Sequence, residues 1–186
     1  MGVTGICFGG FGGQGVILAG MIVGRAAAIY DGKFATLTQS FGPEARGSAC
    51  SAQLLVSSEP ILYPYVTQPD ILVPMSQESY RRFGPTLKPG GVLLYEEELV
   101  KPDETTRDVR KFGVPATRFA EELGRRVVLN LVMVGFATAV SSITSPEAVR
   151  QAIPDSVPPG TESLNLAAFE KGLLHGLRNL SASRTA

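Results

Sequence analysis

The stretch TGICFGGFGGQGV, residues 4–16, decides how the fold begins. An apolar run ends in a cluster of glycines, and an apolar segment of helical length, residues 14–30, follows directly. This order predicts a buried strand, a tight turn and a helix. Residues 10–15 also match the G-x-G-x-x-G pattern of a dinucleotide-binding turn, in which main-chain N–H groups and a helix N-terminus face an anion. The opening of the chain therefore predicts an α/β fold and raises the question of a phosphorylated ligand.

Apolar runs typical of strands alternate with helical segments along the whole chain. Strands are predicted at residues 3–8, 33–39, 49–57, 70–75 and 92–96. Helices are predicted at residues 14–30, 76–87, 115–124, 129–143, 145–153 and 165–180. Ser76 and Ser145 are the expected N-caps of two of these helices. Because several strands are continuous apolar runs, the sequence predicts a three-layer α/β/α sandwich with a mostly parallel, Rossmann-like sheet. A single domain is predicted over residues 1–180, with residues 181–186 as a frayed tail.

The composition excludes several classes of function. Lys plus Arg equals Asp plus Glu, at 17 each, so no net field attracts nucleic acid or a membrane surface, and neither is expected as a partner. Two cysteines and one histidine cannot supply an iron–sulfur cluster or a structural zinc site, and no metal ligand is predicted. No Ser–His–Asp set and no P-loop lysine is present, so no catalytic residue is predicted; Asp70 and residues 96–98 are interpreted as strand-end and solvated acids. The start of the chain has no secretory pattern, and a cytoplasmic location is expected.

The glycine turn lacks one part of a dinucleotide site. Such a site places an Asp or Glu at the end of the second strand, where the acid binds the ribose hydroxyls. Here that strand ends in LTQSF, residues 37–41, and Asp31 comes before the strand. The remaining interpretations are contact with a phosphorylated ligand or cofactor shared with another chain, and tight internal packing with subunit contact. The candidate site residues of the turn are Gly10, Gly12, Gly13, Gln14 and Gly15.

A second unusual loop, SFGPEARGS, occupies residues 40–48 after the second predicted strand. Loops at the carboxyl ends of strands carry the functional groups of open α/β sheets. Arg46 is the sixth candidate site residue, because a guanidinium can hold a phosphate or carboxylate with two hydrogen bonds. The alternative is an ion pair between Arg46 and Glu44 that orders the loop or docks it on a partner.

The motifs taken together resemble the gamma subunit of 2-oxoacid:ferredoxin oxidoreductases. The resemblance runs from residue 5 to about residue 176 and includes Asn130. Its motifs are GFGGQGV (10–16), SFGPEARG (40–47), ILYPYVTQPDILV (61–73), LKPGG (87–91) and NLAAFEKG (165–172). The 2-oxoglutarate type is the most similar, through GQGVILAG, TQSFGPEARG and YPYVTQPDILV. The chain departs at RGSACSA, where relatives tend to carry a second glycine after RG. Ser48 and Cys50 therefore leave pyruvate, branched-chain oxoacids, indolepyruvate and phenylglyoxylate open as substrates.

The resemblance implies a role inside a larger enzyme. Such holoenzymes use thiamine diphosphate with magnesium, coenzyme A and iron–sulfur clusters, and they oxidise a 2-oxoacid to the acyl-CoA while electrons pass to ferredoxin or another acceptor. The thiamine site lies on the alpha and beta subunits and the clusters on beta and delta, so no cofactor is expected on this chain alone. The glycine turn maps onto the family's loop near the active site, and Glu44, Arg46 and Gly47 map onto its second motif. The alternatives are an independent dinucleotide-binding oxidoreductase and a purely structural assembly subunit.

Overall fold

The computed structural model describes residues 2–41, 49–106 and 108–183. Within them, one six-stranded sheet is combined with six α-helices. The strands are β1 (Thr4–Phe11), β2 (Phe34–Ser40), β3 (Ala49–Ser57), β4 (Ile71–Pro74), β5 (Val92–Glu96) and β6 (Arg110–Val114). The helices are α1 (Val16–Arg25), α2 (Gln77–Phe83), α3 (Ala116–Glu122), α4 (Leu129–Ser141), α5 (Pro146–Ala152) and α6 (Glu162–Ser183).

The sheet has the order β2-β3-β1-β4-β5-β6. β1 pairs in parallel with β4, β4 with β5 and β5 with β6, whereas β3 is antiparallel to both of its neighbours. Five of the six strands therefore run the same way, and the predicted mostly parallel α/β sheet is confirmed. One feature separates it from a Rossmann sheet, in which the second strand lies directly beside the first. Here β3 lies between them, so β2 is one strand further from β1.

The two faces of the sheet are covered unequally. Because side chains alternate along β1, Ile6 and Phe8 point into a large core beneath α1, α4 and α6, while Cys7 points the other way. The second core is small and lies beneath α2 and two short 3-10 turns. Its buried members are Cys7, Leu72, Tyr80, Leu87, Leu93 and Val100.

Where helices α4 and α6 cross, their backbones approach so closely that no side chain would fit at the glycine positions between them. A Cβ atom at Gly135 would meet the main-chain oxygen of Phe169, and one at Gly172 would meet that of Val132. Small residues at a helix crossing let the two backbones touch. This crossing sets the position of α4, whose first residues border the site described below.

The observed elements differ from the predicted ones in a few places. Ser76 and Ser145 cap α2 and α5 as predicted. The first helix ends as an α-helix at Arg25 and continues as a π-helical turn. β6 was not predicted. The last helix reaches Ser183, beyond the predicted start of the frayed tail, and Ser181 Oγ donates a hydrogen bond to the Leu177 oxygen. Across the described part of the chain, the helices are too short or too polar to cross a membrane.

Candidate functional site

A pocket of about 580 Å³ opens at the carboxyl ends of β1 and β4. In the sheet, β3 and β2 lie on one side of β1, whereas β4, β5 and β6 lie on its other side. β1 and β4 are therefore the point where the strand order reverses, which is where open α/β sheets bind their ligands. The lining residues are Phe11, Gly13, Gln14, Met75, Ser76, Gln77, Glu78, Leu99, Arg126, Val127 and Leu129.

The glycine turn forms one wall of this pocket, and Gln14 holds it in shape. The main-chain N–H of Gln14 donates to the Phe11 oxygen at 3.1 Å, which closes the turn. Its side-chain Oε1 accepts from the Phe11 N–H at 2.7 Å, and its Nε2 donates to the Met75 oxygen at 2.9 Å. Gln14 thus joins the end of β1 to the end of β4, and both ends of its amide are engaged within the chain.

The glycines of the turn fall into two groups. A Cβ atom at Gly10 would lie 2.6 Å from Gln14 Oε1, and one at Gly15 would meet the Asn130 side chain. These two positions need glycine because neighbouring groups occupy the space. Gly12 and Gly13 are exposed, and a Cβ atom at Gly13 would meet nothing within 4 Å. Gly13 and Gly15 also have φ of +97° and +71°, a region that side chains disfavour. The exposed pair is therefore the part of the turn that faces outward.

One cation and one acid line the pocket, and the start of α1 follows its glycine wall. α1 begins at Gly15 with no side-chain cap and no acidic residue in its first turn. A helix N-terminus of this kind carries partial positive charge and free N–H groups. Arg126 adds a full charge; its side chain is 65% exposed and lies 3.9 Å from Glu121 Oε1. One acid, Glu78, also lines the pocket, at the first turn of α2. Arg126 is therefore the one positively charged side chain that the described residues place in the pocket lining.

The rest of the wall is apolar, and a buried carboxylate holds part of it. Phe11, Met75, Leu99, Val127 and Leu129 supply this surface. Glu96, at the end of β5, is fully buried. Its Oε2 accepts from the Leu99 N–H at 2.6 Å and its Oε1 from the Thr117 N–H at 3.1 Å. Glu96 is a strand-end residue as interpreted, but it is buried and not solvated: both of its carboxyl oxygens accept from main-chain donors, and it positions the segment that carries Leu99.

Of the predicted site residues of the turn, Gly13 and Gln14 line the pocket, whereas Gly10, Gly12 and Gly15 do not. Gly10, Gly12, Gly13, Gln14 and Gly15 form the turn as predicted. Glu44, Arg46 and Gly47 lie outside the described residues. The side chains that complete the pocket come from segments without a recognisable motif, above all Arg126 and Leu99. No sequence pattern identifies these two residues, because they reach the glycine turn only after α3, α4 and β5 have packed together.

The order of strands in the sheet also argues against a dinucleotide site at the glycine turn. β2 ends at Ser40, which pairs with Ser51 of β3, and β3 in turn pairs with β1. Strands lie about 4.8 Å apart, so the end of β2 is roughly 10 Å from β1. An acid at that end would be one strand too far from the glycine turn to bind the ribose of a dinucleotide lying across β1. The absence of an Asp or Glu at the end of β2 and the position of β2 two strands away from β1 both argue against a dinucleotide site.

The metal-ligating side chains of the described residues are few and dispersed. They contain no group of three His, Cys, Asp or Glu side chains placed to hold a metal ion. Cys7 and Cys50 are both free and buried, and they belong to the cores on opposite faces of the sheet. Burial raises the pKa of Cys7 to about 12, with a small opposing effect of Arg82, and burial also raises the pKa of Cys50. His175 packs between Phe119 and Phe136, with ring centroids 5.4 and 5.8 Å away.

Comparison with known proteins agrees with this picture. The pyruvate ferredoxin/flavodoxin oxidoreductase family matches residues 5–174. The chain is 52% identical to the 2-oxoglutarate synthase subunit KorC of Methanocaldococcus jannaschii, over 88% of each chain. It is 35% identical to the ketoisovalerate oxidoreductase subunit VorA of Methanothermobacter thermautotrophicus, over 77% of this chain but 30% of that longer one.

A solved structure shows the same architecture. The gamma subunit of a keto/oxoacid ferredoxin oxidoreductase from Geobacter sulfurreducens is 35% identical, with a TM-score of 0.84, over 96% of this chain and 98% of that one. The chain therefore belongs to the pyruvate ferredoxin/flavodoxin oxidoreductase family, as a gamma-type subunit of 2-oxoacid:ferredoxin oxidoreductases.

Proposed function

We propose that this chain is the gamma subunit of an enzyme that oxidises a 2-oxoacid with coenzyme A. The overall reaction is R–CO–COO⁻ + CoA–SH → R–CO–S–CoA + CO₂ + H⁺ + 2e⁻, with the electrons delivered to ferredoxin or another acceptor. The substrate we favour is 2-oxoglutarate, because identity to the 2-oxoglutarate synthase subunit is 52% against 35% for the ketoisovalerate subunit. Pyruvate, branched-chain and aryl oxoacids such as phenylglyoxylate are the alternatives.

The chain itself is noncatalytic in this proposal. Thiamine diphosphate, magnesium and the iron–sulfur clusters would be held by alpha, beta and delta subunits, and they supply the decarboxylation and electron transfer. The support is the ligand inventory of the described residues: buried thiols on opposite faces, a packed histidine and no metal-binding group. Free buried cysteines also agree with a reducing compartment, and we place the enzyme in the cytoplasm.

The glycine-turn pocket would be this chain's contribution to the active site. The observation that carries this proposal is one pocket in which the positive charge of Arg126 lies beside the glycine turn and an apolar wall from Phe11 to Leu129. Coenzyme A has compatible chemistry, since its anionic phosphates precede an uncharged arm in which methyl and methylene groups alternate with amides. Gly12 and Gly13 would let the ligand, or the thiamine-bearing partner, approach the turn without meeting a side chain.

The test uses the assembled enzyme and two neighbouring arginines. Arg126→Gln removes the charge that lines the pocket, while Arg125→Gln removes an exposed charge next to it as a matched control. We expect the KM for coenzyme A to rise about tenfold in the first variant, since a charge-assisted hydrogen bond contributes about 1.5–3 kcal/mol. Decarboxylation of the oxoacid without coenzyme A should persist.

Gly13→Val adds a side chain to the same wall. It should raise the KM for coenzyme A or weaken assembly more than it lowers the stability of the subunit. If both variants keep the normal KM and the complex stays intact, the pocket does not serve coenzyme A. If the complex dissociates while the remaining enzyme has normal kinetics, the turn serves assembly alone.

A further inference from the structure

A buried side-chain amide, that of Asn130, lies at the start of α4 and directly follows Leu129 of the glycine-turn pocket. Asn130 is 2% exposed, and the other buried members of α4 are almost all apolar. Its Nδ2 donates a hydrogen bond to the main-chain oxygen of Gly15 at 3.2 Å. That oxygen already accepts from the Ala19 N–H at 2.9 Å, inside α1. The bond from Asn130 is therefore additional to the hydrogen bonding of α1 and links two separate helices.

The other end of this amide is unsatisfied. Because Nδ2 faces the Gly15 oxygen, Oδ1 points elsewhere, and it is buried without a hydrogen-bond partner among the described residues. A buried acceptor in this state destabilises the folded protein, whereas a leucine of similar shape would fill the space without that penalty. Stability therefore does not explain an asparagine at this position. What the amide supplies, and leucine cannot, is the N–H that binds Gly15.

The bond to Gly15 connects two parts of the pocket lining that come from different elements. Gly15 ends the glycine turn, whose residues 13–14 line the pocket. Asn130 directly follows residues 126–129, which supply a second part of the lining and include its positive charge, Arg126. The distance between this charge and the glycine turn therefore depends on how the start of α4 is held against the start of α1.

The ion pair of Arg126 does not fix its position. The Nε of Arg126 lies 3.9 Å from Glu121 Oε1, and the two side chains are 65% and 57% exposed. Exposed pairs of this length contribute little, because water screens them and both side chains must be ordered. The turn that carries Arg126 is closed by a bond from the Val128 N–H to the Arg125 oxygen at 3.1 Å and continues into α4. The attachment of α4 by Asn130 thus also places this turn.

We propose that Asn130 is a positioning residue of the pocket, which holds Arg126 in place beside the glycine turn through its bond to Gly15. Asn130 is absent from the pocket lining, so its effect on a ligand is exerted through Arg126. The inference rests on the proposed role of the pocket in binding coenzyme A, whose phosphates are the groups that Arg126 would meet.

The first experiment separates this role from stability. Asn130→Leu, in the assembled enzyme, keeps the shape of the side chain and removes both the bond to Gly15 and the unsatisfied Oδ1. We expect the KM for coenzyme A to rise about fivefold or more, the effect of losing one hydrogen bond, with a smaller change in kcat. The Tm of the assembled enzyme should stay within about 2 °C of the parent value, because the lost bond and the removed penalty offset each other.

Thr138→Val is the matched control on the same helix. Thr138 is also a buried polar residue, 3% exposed, and its Oγ1 donates to the Val134 oxygen at 2.8 Å, within α4. This variant should keep the normal KM for coenzyme A. A normal KM in Asn130→Leu, or the same rise in both variants, would overturn the proposal.

A double variant tests whether Asn130 acts through Arg126. In the Arg126→Gln background there is no charge left to position, so adding Asn130→Leu should raise the KM by less than about twofold. If the effects of the two single variants multiply in full, Asn130 acts independently of Arg126 and the proposal is wrong.

Hydrogen exchange provides a measurement that does not depend on coenzyme A. The Gln14 N–H donates to the Phe11 oxygen, and the Phe11 N–H donates to Gln14 Oε1. In the assembled enzyme, Asn130→Leu should speed the exchange of these two amides by about tenfold, and Thr138→Val should not. Unchanged exchange would mean that Asn130 does not hold the turn.

The two proposals can fail separately. If Arg126→Gln keeps the normal KM, the coenzyme A role of the pocket is wrong, and the exchange rates alone then decide whether Asn130 holds the turn. If Arg126→Gln raises the KM while Asn130→Leu changes neither the KM nor the exchange rates, the positioning role of Asn130 is wrong and the coenzyme A role stands.

Discussion

The side-chain amide of Asn130 donates a hydrogen bond to the main-chain oxygen of Gly15 at 3.2 Å, across 115 positions of sequence. Gly15 caps α1, and Asn130 is the second residue of α4, so this bond joins the starts of two helices beside the pocket. Asn130 approaches so closely that Gly15 has no room for a side chain. The glycine turn is therefore shaped by α4 as well as by its own sequence.

Two glycines of the turn should respond differently to the same change. Gly13→Ala meets open space and should lower the free energy of unfolding by about 1–2 kcal/mol, from its positive φ alone. Gly15→Ala has the same backbone penalty and also displaces Asn130, so a loss of about 2–4 kcal/mol is expected. Urea unfolding of the two variants measures the difference. Equal losses would show that Asn130 moves aside freely.

The α4–α6 crossing should tolerate no added methyl group. In Gly135→Ala the new Cβ atom meets the main-chain oxygen of Phe169, and backbone yields less easily than a side chain. We expect a loss of about 3 kcal/mol or more and a fall in Tm of roughly 6–12 °C.

Gly24→Ala is the matched control for this crossing, since the new atom would lie 3.1 Å from the flexible end of Leu54. Alanine has a better helix propensity than glycine, which should offset the close contact with Leu54 and leave Tm nearly unchanged. A small effect of Gly135→Ala, similar to that of Gly24→Ala, would mean that the two helices can separate without penalty.

Asp31 should make the free energy of unfolding depend on pH in the acid range. Burial by itself raises the pKa of Asp31, but the hydroxyls of Ser145 and Thr144, the Ser145 N–H and the charge of Lys33 together hold it below its ordinary value of 3.8. Because the pKa of Asp31 is lower in the folded state than in the unfolded state, its carboxylate contributes fully to the free energy of unfolding at pH values above the unfolded-state pKa. That contribution is lost as the pH falls through the folded-state pKa. The stabilising effect of Asp31 should therefore decline below about pH 3.8.

The acid limb of a stability–pH curve tests this effect. Asp31→Asn should be less stable at neutral pH, and its difference from the parent protein should shrink at low pH as the native carboxyl becomes protonated. Glu104→Gln, at an exposed position, is the control and should follow the parent curve. A constant difference between Asp31→Asn and the parent at all pH values would contradict the assignment.

Cys7 should be inert in the folded protein. Its pKa is raised by burial to about 12, so at pH 8 its thiolate fraction is roughly a thousandfold below that of a cysteine with the usual pKa near 8.5. Alkylation by iodoacetamide, followed by peptide mass spectrometry, should label Cys7 only after denaturation. Rapid native labelling at Cys7 would show that the small core beneath α2 opens.

The sequence predicted the parts of the fold that depend on local pattern. β3 and β5 have their predicted bounds, because both are unbroken apolar runs between clear turn signals. β6 was missed because it begins with the exposed Arg110 and Lys111 and shows no apolar run. The antiparallel place of β3 was also missed, since strand direction depends on which distant strands pair and not on the strand's own residues.

The same limit applies to the candidate site: only the part that depends on a local sequence pattern could be predicted. The glycine turn was visible because a tight turn needs particular residue types in a row. Arg126 and Leu99 have no such constraint on their neighbours, and they reach the pocket only through the packing of α3, α4 and the segment held by Glu96. The buried state of Glu96 was unpredictable for a similar reason, because its donors are main-chain groups of Leu99 and Thr117.

The position of β1 has a consequence for synthesis of the chain. β1 leaves the ribosome before the other strands of this sheet, yet it pairs with β3 and β4, whose last residues are Ser57 and Pro74. At roughly 5–20 residues per second, both of its edges stay unpaired for several seconds. During that interval an apolar strand with open hydrogen-bonding edges is exposed to other nascent chains. The strand that becomes the centre of the finished sheet is thus the one that waits longest for its partners while the protein is being made.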